Sequence, residues 1–130
     1  MAARSKGLNR ALWVASGLLA ALFLFAGFGG KLLNPEEATK LFSAHFGYPG
    51  YLALFIGACE TAGAIGILIP RLATPAAAGL AIIMAGAAVS HLQAGDSARD
   101  VMVPLVVLAL LAFVGWTRLP DLRRRSAIGG

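Results

Sequence analysis

The chain has 130 residues, of which 58% are hydrophobic and 13% charged, whereas a soluble domain is roughly half apolar and about a quarter charged. This composition argues against a soluble globular domain, and the high hydrophobicity excludes a disordered chain. A single cysteine, Cys59, excludes an internal disulfide and cysteine-rich zinc sites. The net charge of +5 comes from Lys and Arg concentrated at the two ends, so no nucleic-acid partner is expected.

The first predicted element is a membrane helix that follows a basic N-terminal segment, residues 1–10. No charged residue occurs from Ala11 to Gly30, and about 20 apolar residues suffice to cross a hydrocarbon core. A cleaved signal peptide is the alternative, because a basic head precedes the apolar run. The run is too long for a signal peptide and ends without a small-residue cleavage pattern, which favours a retained span over 11–30.

The next element is a short helix outside the membrane, predicted over residues 35–46. Asn34 is the expected side-chain cap, Pro35 falls in the first turn, and Glu37 lies three residues after the cap. One apolar face follows at helical spacing, formed by Ala38, Leu41, Phe42, His45 and Phe46. We expect this helix to lie flat on the outer surface, with His45 as a polar edge.

Three further spans are predicted over about 50–69, 75–95 and 101–117. The third span begins at Leu72 or Pro75, and both Pro75 and Pro104 are expected in opening turns, where the missing N–H costs little. The sequence therefore predicts an all-α membrane protein. Its single domain, residues 11–117, is a four-transmembrane-helix bundle with one short interfacial helix, followed by a basic tail over 118–130.

The distribution of Lys and Arg predicts that both termini are cytoplasmic. With that orientation eight basic residues lie inside, namely Arg4, Lys6, Arg10, Arg71, Arg118, Arg123, Arg124 and Arg125, and three lie outside, namely Lys31, Lys40 and Arg99. An excess of basic residues marks the cytoplasmic side. We therefore expect an N-in, C-in protein of a bacterial-type inner membrane, with the lipid bilayer as its first partner.

Small residues indicate where the helices pack. Close backbone approach, rather than burial from water, drives helix association in lipid. The second span carries Ala58, Ala62 and Gly66 at intervals of four, and the third carries Ala77, Ala81 and Ala85. These stripes predict a tight contact between the second and third spans.

Glu60 is the most unusual residue in the sequence. It lies nine residues from Ile69, about 14 Å at the helical rise and therefore close to the bilayer midplane. Intramembrane carboxylates are costly and usually functional. The residues expected at the same depth in the other spans are small or apolar and cannot neutralise a charge, so we expect either a protonated Glu60 or a cavity that admits water or a ligand.

His91 and Lys31 are placed near the outer ends of their spans by the same depth count. With Glu60 as the floor and these two residues at the rim, we expect an outward-opening polar funnel, with Ser90 and Gln93 nearby and no direct contact between Glu60 and His91. A quinone, or another flat apolar molecule with polar oxygens, would suit this funnel. His91 would donate a hydrogen bond and Glu60 would exchange a proton.

Structural roles for these residues stay open as alternatives. His91 could be a hydrogen-bonding residue at a helix end, and Lys31 could be an interfacial anchor. No metal site is expected, because neither an HExxH motif nor a two-histidine ligand spacing occurs. No residue is assigned a catalytic role.

Several short motifs, taken in order, resemble the DoxX family of small four-span membrane proteins. They are Gly-Gly-Lys-Leu at the end of the first span, Phe-Gly-Tyr-Pro before the second, Glu60 followed by Gly-Ala-Ile-Gly-Ile-Leu-Ile-Pro, and Met84 followed by Gly-Ala and His91. The resemblance covers nearly the whole chain. It implies that Lys31, Glu60 and His91 are the functional positions.

The resemblance implies two kinds of function. Some relatives are membrane subunits of quinone-linked sulfur-oxidising enzymes, and others resemble assembly or trafficking factors. We therefore expect an accessory membrane subunit of a redox system that binds quinone and works with a protein partner or as a homo-oligomer, and that is not a complete enzyme. A non-catalytic scaffold or assembly factor is the alternative. A proton-coupled transporter is disfavoured, because no inverted repeat or broken helix pair is visible.

Overall fold

The computed structural model describes residues 4–122, and all the secondary structure in that part of the chain is helical. Five α-helices follow in order: α1 (Lys6–Phe23), α2 (Pro35–Lys40), α3 (Tyr51–Ile67), α4 (Pro70–Gln93) and α5 (Ala98–Thr117). Two of them continue as π-helical segments, α1 into Leu24–Leu32 and α2 into Leu41–His45. Most of the predicted basic tail, including Arg123, Arg124 and Arg125, lies outside the described residues.

Three of the helices are long and apolar enough to cross a membrane. They are α1 with its π-helical segment, α4 and α5, while α3 is apolar but has 17 residues. The prediction of an all-α, four-helix membrane bundle is confirmed. We call its two ends the α2 end and the terminal end, the latter being where Arg4 and Asp121 meet.

Helices α1 and α5 begin earlier than the sequence predicted, and local caps explain this. The Ser5 hydroxyl accepts a hydrogen bond from the Leu8 N–H, so α1 begins at Lys6. The Ser97 hydroxyl accepts from the Asp100 N–H in the same way, so α5 begins at Ala98.

Pro75 and Pro104 were wrongly placed in opening turns. Pro70 occupies the first turn of α4 instead, which leaves Pro75 inside that helix. Pro104 lies inside α5, because the Ser97 cap starts that helix before it.

The surface helix is present, but its expected cap is not. The Asn34 side chain does not cap α2; its Nδ2 donates instead to the Gly29 carbonyl at 2.7 Å. Asn34 therefore ties the surface helix back to the end of the first span. The chain then turns at Gly47, whose φ of +73° favours glycine.

The hydrophobic core lies toward the terminal end of the bundle. All four spans contribute buried residues to it: Leu12, Leu19, Phe23, Ala64, Ile67, Ala73, Ala77, Leu80, Val107, Leu111 and Val114. At the very end Arg118 is 2% exposed and stacks on the Trp13 ring at 4.6 Å, and Asp121 pairs with Arg118 and Arg4. The terminal end is therefore closed.

The small-residue stripes do not all lie where they were expected. Gly66 does face α4, since a Cβ placed on it would lie 3.0 Å from the Ala76 Cβ. Ala58 and Ala62, however, are exposed on the bundle surface. Ala77 faces α5, because a Cβ on Gly115 would lie 3.2 Å from the Ala77 Cβ.

A close glycine contact joins α3 to the π-helical end of the first span. A Cβ on Gly27 would lie 2.7 Å from the Glu60 Cβ, and a Cβ on Gly57 would lie 2.8 Å from the Lys31 Cβ. Two glycines facing each other let these backbones approach more closely than side chains would allow. The contact brings Lys31 beside α3.

Candidate functional site

A cavity of about 740 Å³ lies between α3 and α4 at the α2 end of the bundle. Four elements form its walls: the first span, α3, α4 and the stretch from Pro35 to Tyr48, which we call the surface segment. The lining residues include Lys31 of the first span, Phe42, Phe46 and Tyr48 of the surface segment, Leu52, Ile56 and Glu60 of α3, and Ile83, Met84, Ala87, Ser90, His91 and Gln93 of α4. Most of this lining is apolar. We call this space the main cavity.

The packing of the spans explains why a cavity forms at this end. The most extensive helix contacts are α4 with α5 and α3 with the π-helical segment Leu24–Leu32. Within α3 the buried core residues are Ala64 and Ile67, which lie on the terminal side of Glu60. The cavity lies on the other side of Glu60, between α3 and α4 toward the α2 end.

Lys31 and Glu60 form an ion pair at the inner end of the main cavity. The Lys31 Nζ lies 2.7 Å from the Glu60 Oε1, and Glu60 is 3% exposed. The expectation that Glu60 has no counter-ion is therefore wrong. A depth count on straight helices places Lys31 at the rim, but the Gly57 contact and the long lysine stem let its ammonium reach inward.

The ion pair leaves hydrogen-bonding capacity unused. No described residue donates a well-aligned hydrogen bond to the Glu60 Oε1, although a carboxylate has about four lone-pair positions. The Lys31 Nζ donates to the Ala26 carbonyl at 3.4 Å in addition to its contact with Glu60. Both side chains line the cavity, so a ligand could use the remaining positions.

A set of side-chain contacts joins the surface segment to the end of α4 beside the main cavity. The His45 Nε2 lies 3.0 Å from the Asp96 Oδ1, and the His91 Nδ1 lies 2.6 Å from the Asp96 Oδ2. The Tyr48 hydroxyl is 2.8 Å from the Ser90 Oγ. We call these contacts the strap, because they connect two elements that are distant in sequence.

Asp96 is the centre of the strap. Hydrogen bonds from His45 and then from His91 hold the pKa of Asp96 below its ordinary value of 3.8. Although three potential ligands meet here, their arrangement is not one that would hold a metal ion.

The structure gathers all three predicted site residues around the main cavity but gives them different surroundings. Lys31 and Glu60 pair with each other, while His91 is held by Asp96 and packs edge-on against Phe46, with ring centroids 5.3 Å apart. Ser90 and Gln93 also line the cavity. The His91 Nδ1 is engaged with Asp96, which leaves Nε2 for a ligand.

Reasoning from the sequence missed the strap. The sequence predicts His45 only as a polar edge of the surface helix, and Asp96 is not among the predicted site residues. A signal was present, since Asp96 follows His91 by five residues just beyond the C-terminus of α4. A carboxylate at that spacing can fold back onto the last turn. The contact of His45 with Asp96 could be recognised only in the tertiary structure, because the two residues are 51 positions apart.

A sequence profile described as the DoxX-like family matches residues 14–114, which include Lys31, Glu60 and His91. Comparison with curated proteins and with solved structures gives no match.

Proposed function

The chain belongs to the DoxX-like family, and from this premise we propose that it is an accessory membrane subunit of a redox system, binding a quinone or a similar small hydrophobic ligand in the main cavity. A separate protein partner carries the catalytic chemistry. Within the ligand complex the chain's own residues bind and orient the ligand's polar oxygens and exclude lipid from them.

The observation that carries this proposal is the main cavity with an ion pair at its inner end. Ligand pockets commonly measure about 300–1,000 Å³ and combine apolar walls with a few polar groups; the main cavity measures about 740 Å³. A buried ion pair is expensive in an apolar setting and contributes little to stability. Its position in the wall of a cavity therefore favours a role in binding.

The roles of the three site residues follow from their positions. The Lys31 ammonium and the Glu60 carboxylate contact one end of the ligand, and Glu60 is the group that can exchange a proton with it. His91, oriented by Asp96, offers Nε2 to the other end. The apolar walls hold the ring between these ends.

The test measures quinone that co-purifies with the protein. After mild detergent extraction and gel filtration, quinone is extracted from wild-type protein, Glu60→Gln and His91→Ala, and is quantified by chromatography. We expect near-stoichiometric quinone, counted as the oxidised and reduced forms together, in the wild type and a loss of at least about tenfold in Glu60→Gln, because a hydrogen bond from a ligand hydroxyl to the charged carboxylate is worth about 1.5–3 kcal/mol. Cys59→Ala is the matched control, since Cys59 adjoins Glu60 in sequence but does not line the main cavity. Equal quinone in all four proteins would refute the proposal.

A second candidate function is a non-catalytic scaffold or assembly factor, and a second groove favours it. This groove, about 480 Å³, runs along α3 and α4 and is lined by small residues that include Ala62, Gly63, Gly66 and Gly79. Such a surface suits close approach by a client transmembrane helix. Ala62→Leu should then reduce co-purification of the partner without changing quinone content, whereas the first function predicts that Glu60→Gln changes quinone content.

We further propose that the protein resides in a bacterial-type inner membrane with both termini in the cytoplasm. The eight-to-three distribution of Lys and Arg supports this orientation. It places the α2 end, and therefore the strap, on the outer side.

A further inference from the structure

The inner end of the main cavity offers a paired donor and acceptor to a ligand. An ammonium has three N–H donors; the Lys31 Nζ contacts the Glu60 Oε1 at 2.7 Å and the Ala26 carbonyl at 3.4 Å, which leaves at least one donor. In the ion pair the Glu60 carboxylate only accepts hydrogen bonds, and Lys31 occupies at most one of its roughly four acceptor positions. A ligand atom placed here meets a donor and an acceptor together.

A hydroxyl group matches this pair and a carbonyl group does not. A hydroxyl oxygen can accept from the Lys31 ammonium while its proton is donated to the Glu60 carboxylate. A carbonyl oxygen can only accept, so its lone pairs face a carboxylate whose acceptor positions stay unfilled. An unfilled buried acceptor carries its full desolvation cost.

The other polar contacts of the cavity do not discriminate in this way. The Ser90 hydroxyl donates to the Gly86 carbonyl, and the Tyr48 hydroxyl, 2.8 Å from the Ser90 Oγ, can turn to donate to a ligand or to accept from one. Because the His91 Nδ1–H donates to the Asp96 carboxylate, its Nε2 accepts in the neutral ring and donates in the charged ring, so it can meet either group. Discrimination between hydroxyl and carbonyl therefore falls on the inner end.

We propose that the main cavity selects a ligand bearing a hydroxyl at its buried end, and so binds the reduced hydroquinone form in preference to the oxidised quinone. The inference rests on the proposed function, because it assumes that a molecule of the quinone class occupies the cavity. It adds which redox form is held. The preference belongs to binding alone and involves no electron transfer.

The experiment compares ligand pairs that differ only in the donor. Protein in lipid nanodiscs is titrated by calorimetry under anaerobic conditions with a short-chain benzoquinone and with its hydroquinone. A second pair, an alkylphenol and its methyl ether, removes the O–H without any redox chemistry. We expect the hydroquinone and the phenol to bind at least about tenfold more tightly than their counterparts.

Two variants separate this selectivity from general affinity. In Glu60→Gln the carboxamide both donates and accepts, so the affinity ratio within each pair should fall toward one. Ile56→Ala is the matched control, because Ile56 lines the same cavity without a polar group. This change should weaken both members of a pair by a similar factor and leave the ratio unchanged.

Each result decides something different. Quinone binding as tightly as hydroquinone, and ether as tightly as phenol, would overturn the inference while leaving the proposed function in place. A failure of all four ligands to bind would overturn the proposed function. If Glu60→Gln does not fold, the phenol and ether pair on wild-type protein still decides the inference.

Discussion

A carboxylate at membrane depth must be compensated, and Glu60 is compensated by a residue that the linear sequence places elsewhere. Lys31 reaches Glu60 because Gly57 offers no side chain where the lysine stem crosses α3. Removing one member of a buried ion pair strands the other, which costs far more than the pair itself contributes. The pair should therefore respond very differently to single and double substitution.

Lys31→Met should strongly destabilise the protein, by about 3–5 kcal/mol, because it leaves the Glu60 charge uncompensated. The double variant Lys31→Met/Glu60→Gln should recover most of that loss. The measurement is the free energy of unfolding in detergent by chemical denaturation. Lys40→Met is the control, since Lys40 is exposed on α2. A single variant as stable as the wild type would show that the ion pair does not form.

The stabilisation contributed by the Asp96 contacts of the strap should be lost at acid pH. The pKa of Asp96 is held below 3.8 by His45 and His91. A lowered pKa in the folded state means that the stabilisation is fully present above the unfolded value and is lost as the pH falls through the folded one. The contribution of Asp96 should therefore stay constant from neutral pH to about pH 4 and disappear below it.

Asp96→Asn should remove this acid-dependent part. The thermal unfolding temperature of wild type and variant is followed from neutral pH to about pH 3. The wild-type advantage should be constant above about pH 4 and shrink below it. Glu37→Gln, on the exposed face of α2, controls for general carboxylate effects. An advantage that persists unchanged at the acid end would contradict the Asp96 contacts.

At the scale of elements, the glycine-rich end of the first span is the unusual feature. Its π-helical segment Leu24–Leu32 contains Gly27, Gly29 and Gly30, and π-helical turns are frequent at functional sites. Here the segment presents Gly27 and Lys31 to α3, where one makes the close contact and the other makes the ion pair. The π-helical segment therefore supplies both the close glycine contact and the lysine of the ion pair.

Gly57→Ala should destabilise the contact between the first span and α3 by about 1–3 kcal/mol, the usual range for overpacking. Its Cβ would lie 2.8 Å from the Lys31 Cβ and 3.1 Å from the Gly27 carbonyl oxygen, so one element must shift. Gly17→Ala is the matched control, because nothing lies within 4 Å of its Cβ. Thermal unfolding of both variants in detergent tests this, and equal unfolding temperatures would show that the two elements are not in close contact.

At the scale of the whole molecule, the bundle is closed at one end and hollow toward the other. The core and the Arg118, Asp121 and Arg4 cluster close the terminal end. The surface segment reaches across to α4 through the strap at the α2 end. If both termini are cytoplasmic, a ligand exchanges with the outer half of the bilayer or with the outer solution.

Cysteine labelling tests that orientation. In a Cys59→Ala background, Ala44→Cys at the α2 end should react with a membrane-impermeant maleimide in intact spheroplasts. Gly7→Cys near the terminal end should react only after permeabilisation. Both positions are exposed, and a Cβ on Gly7 has nothing within 4 Å. The reverse labelling pattern would overturn the N-in, C-in assignment.

The sequence by itself determined the number of spans and the all-helical class, and it singled out Lys31, Glu60 and His91 as candidates. Uncharged runs of membrane length and a lone acidic residue inside one of them are local features of the sequence. The apolar core of the bilayer favours a spanning helix for each run and makes a carboxylate within it costly. Helix starts were less accurate, because Ser5 and Ser97 act as caps before the apolar runs begin.

Only the tertiary structure decided the partners of those residues. The Lys31 and Glu60 pair and the contact of His45 with Asp96 join residues from different elements, so no spacing along one helix reveals them. The contact between Gly27 and Gly57 could not be predicted either, because the spans contain many small residues and no pattern distinguishes these two. In lipid, helices associate through shape and a few polar contacts rather than through a hydrophobic face, so the sequence pattern of a span does not indicate which neighbour it will meet.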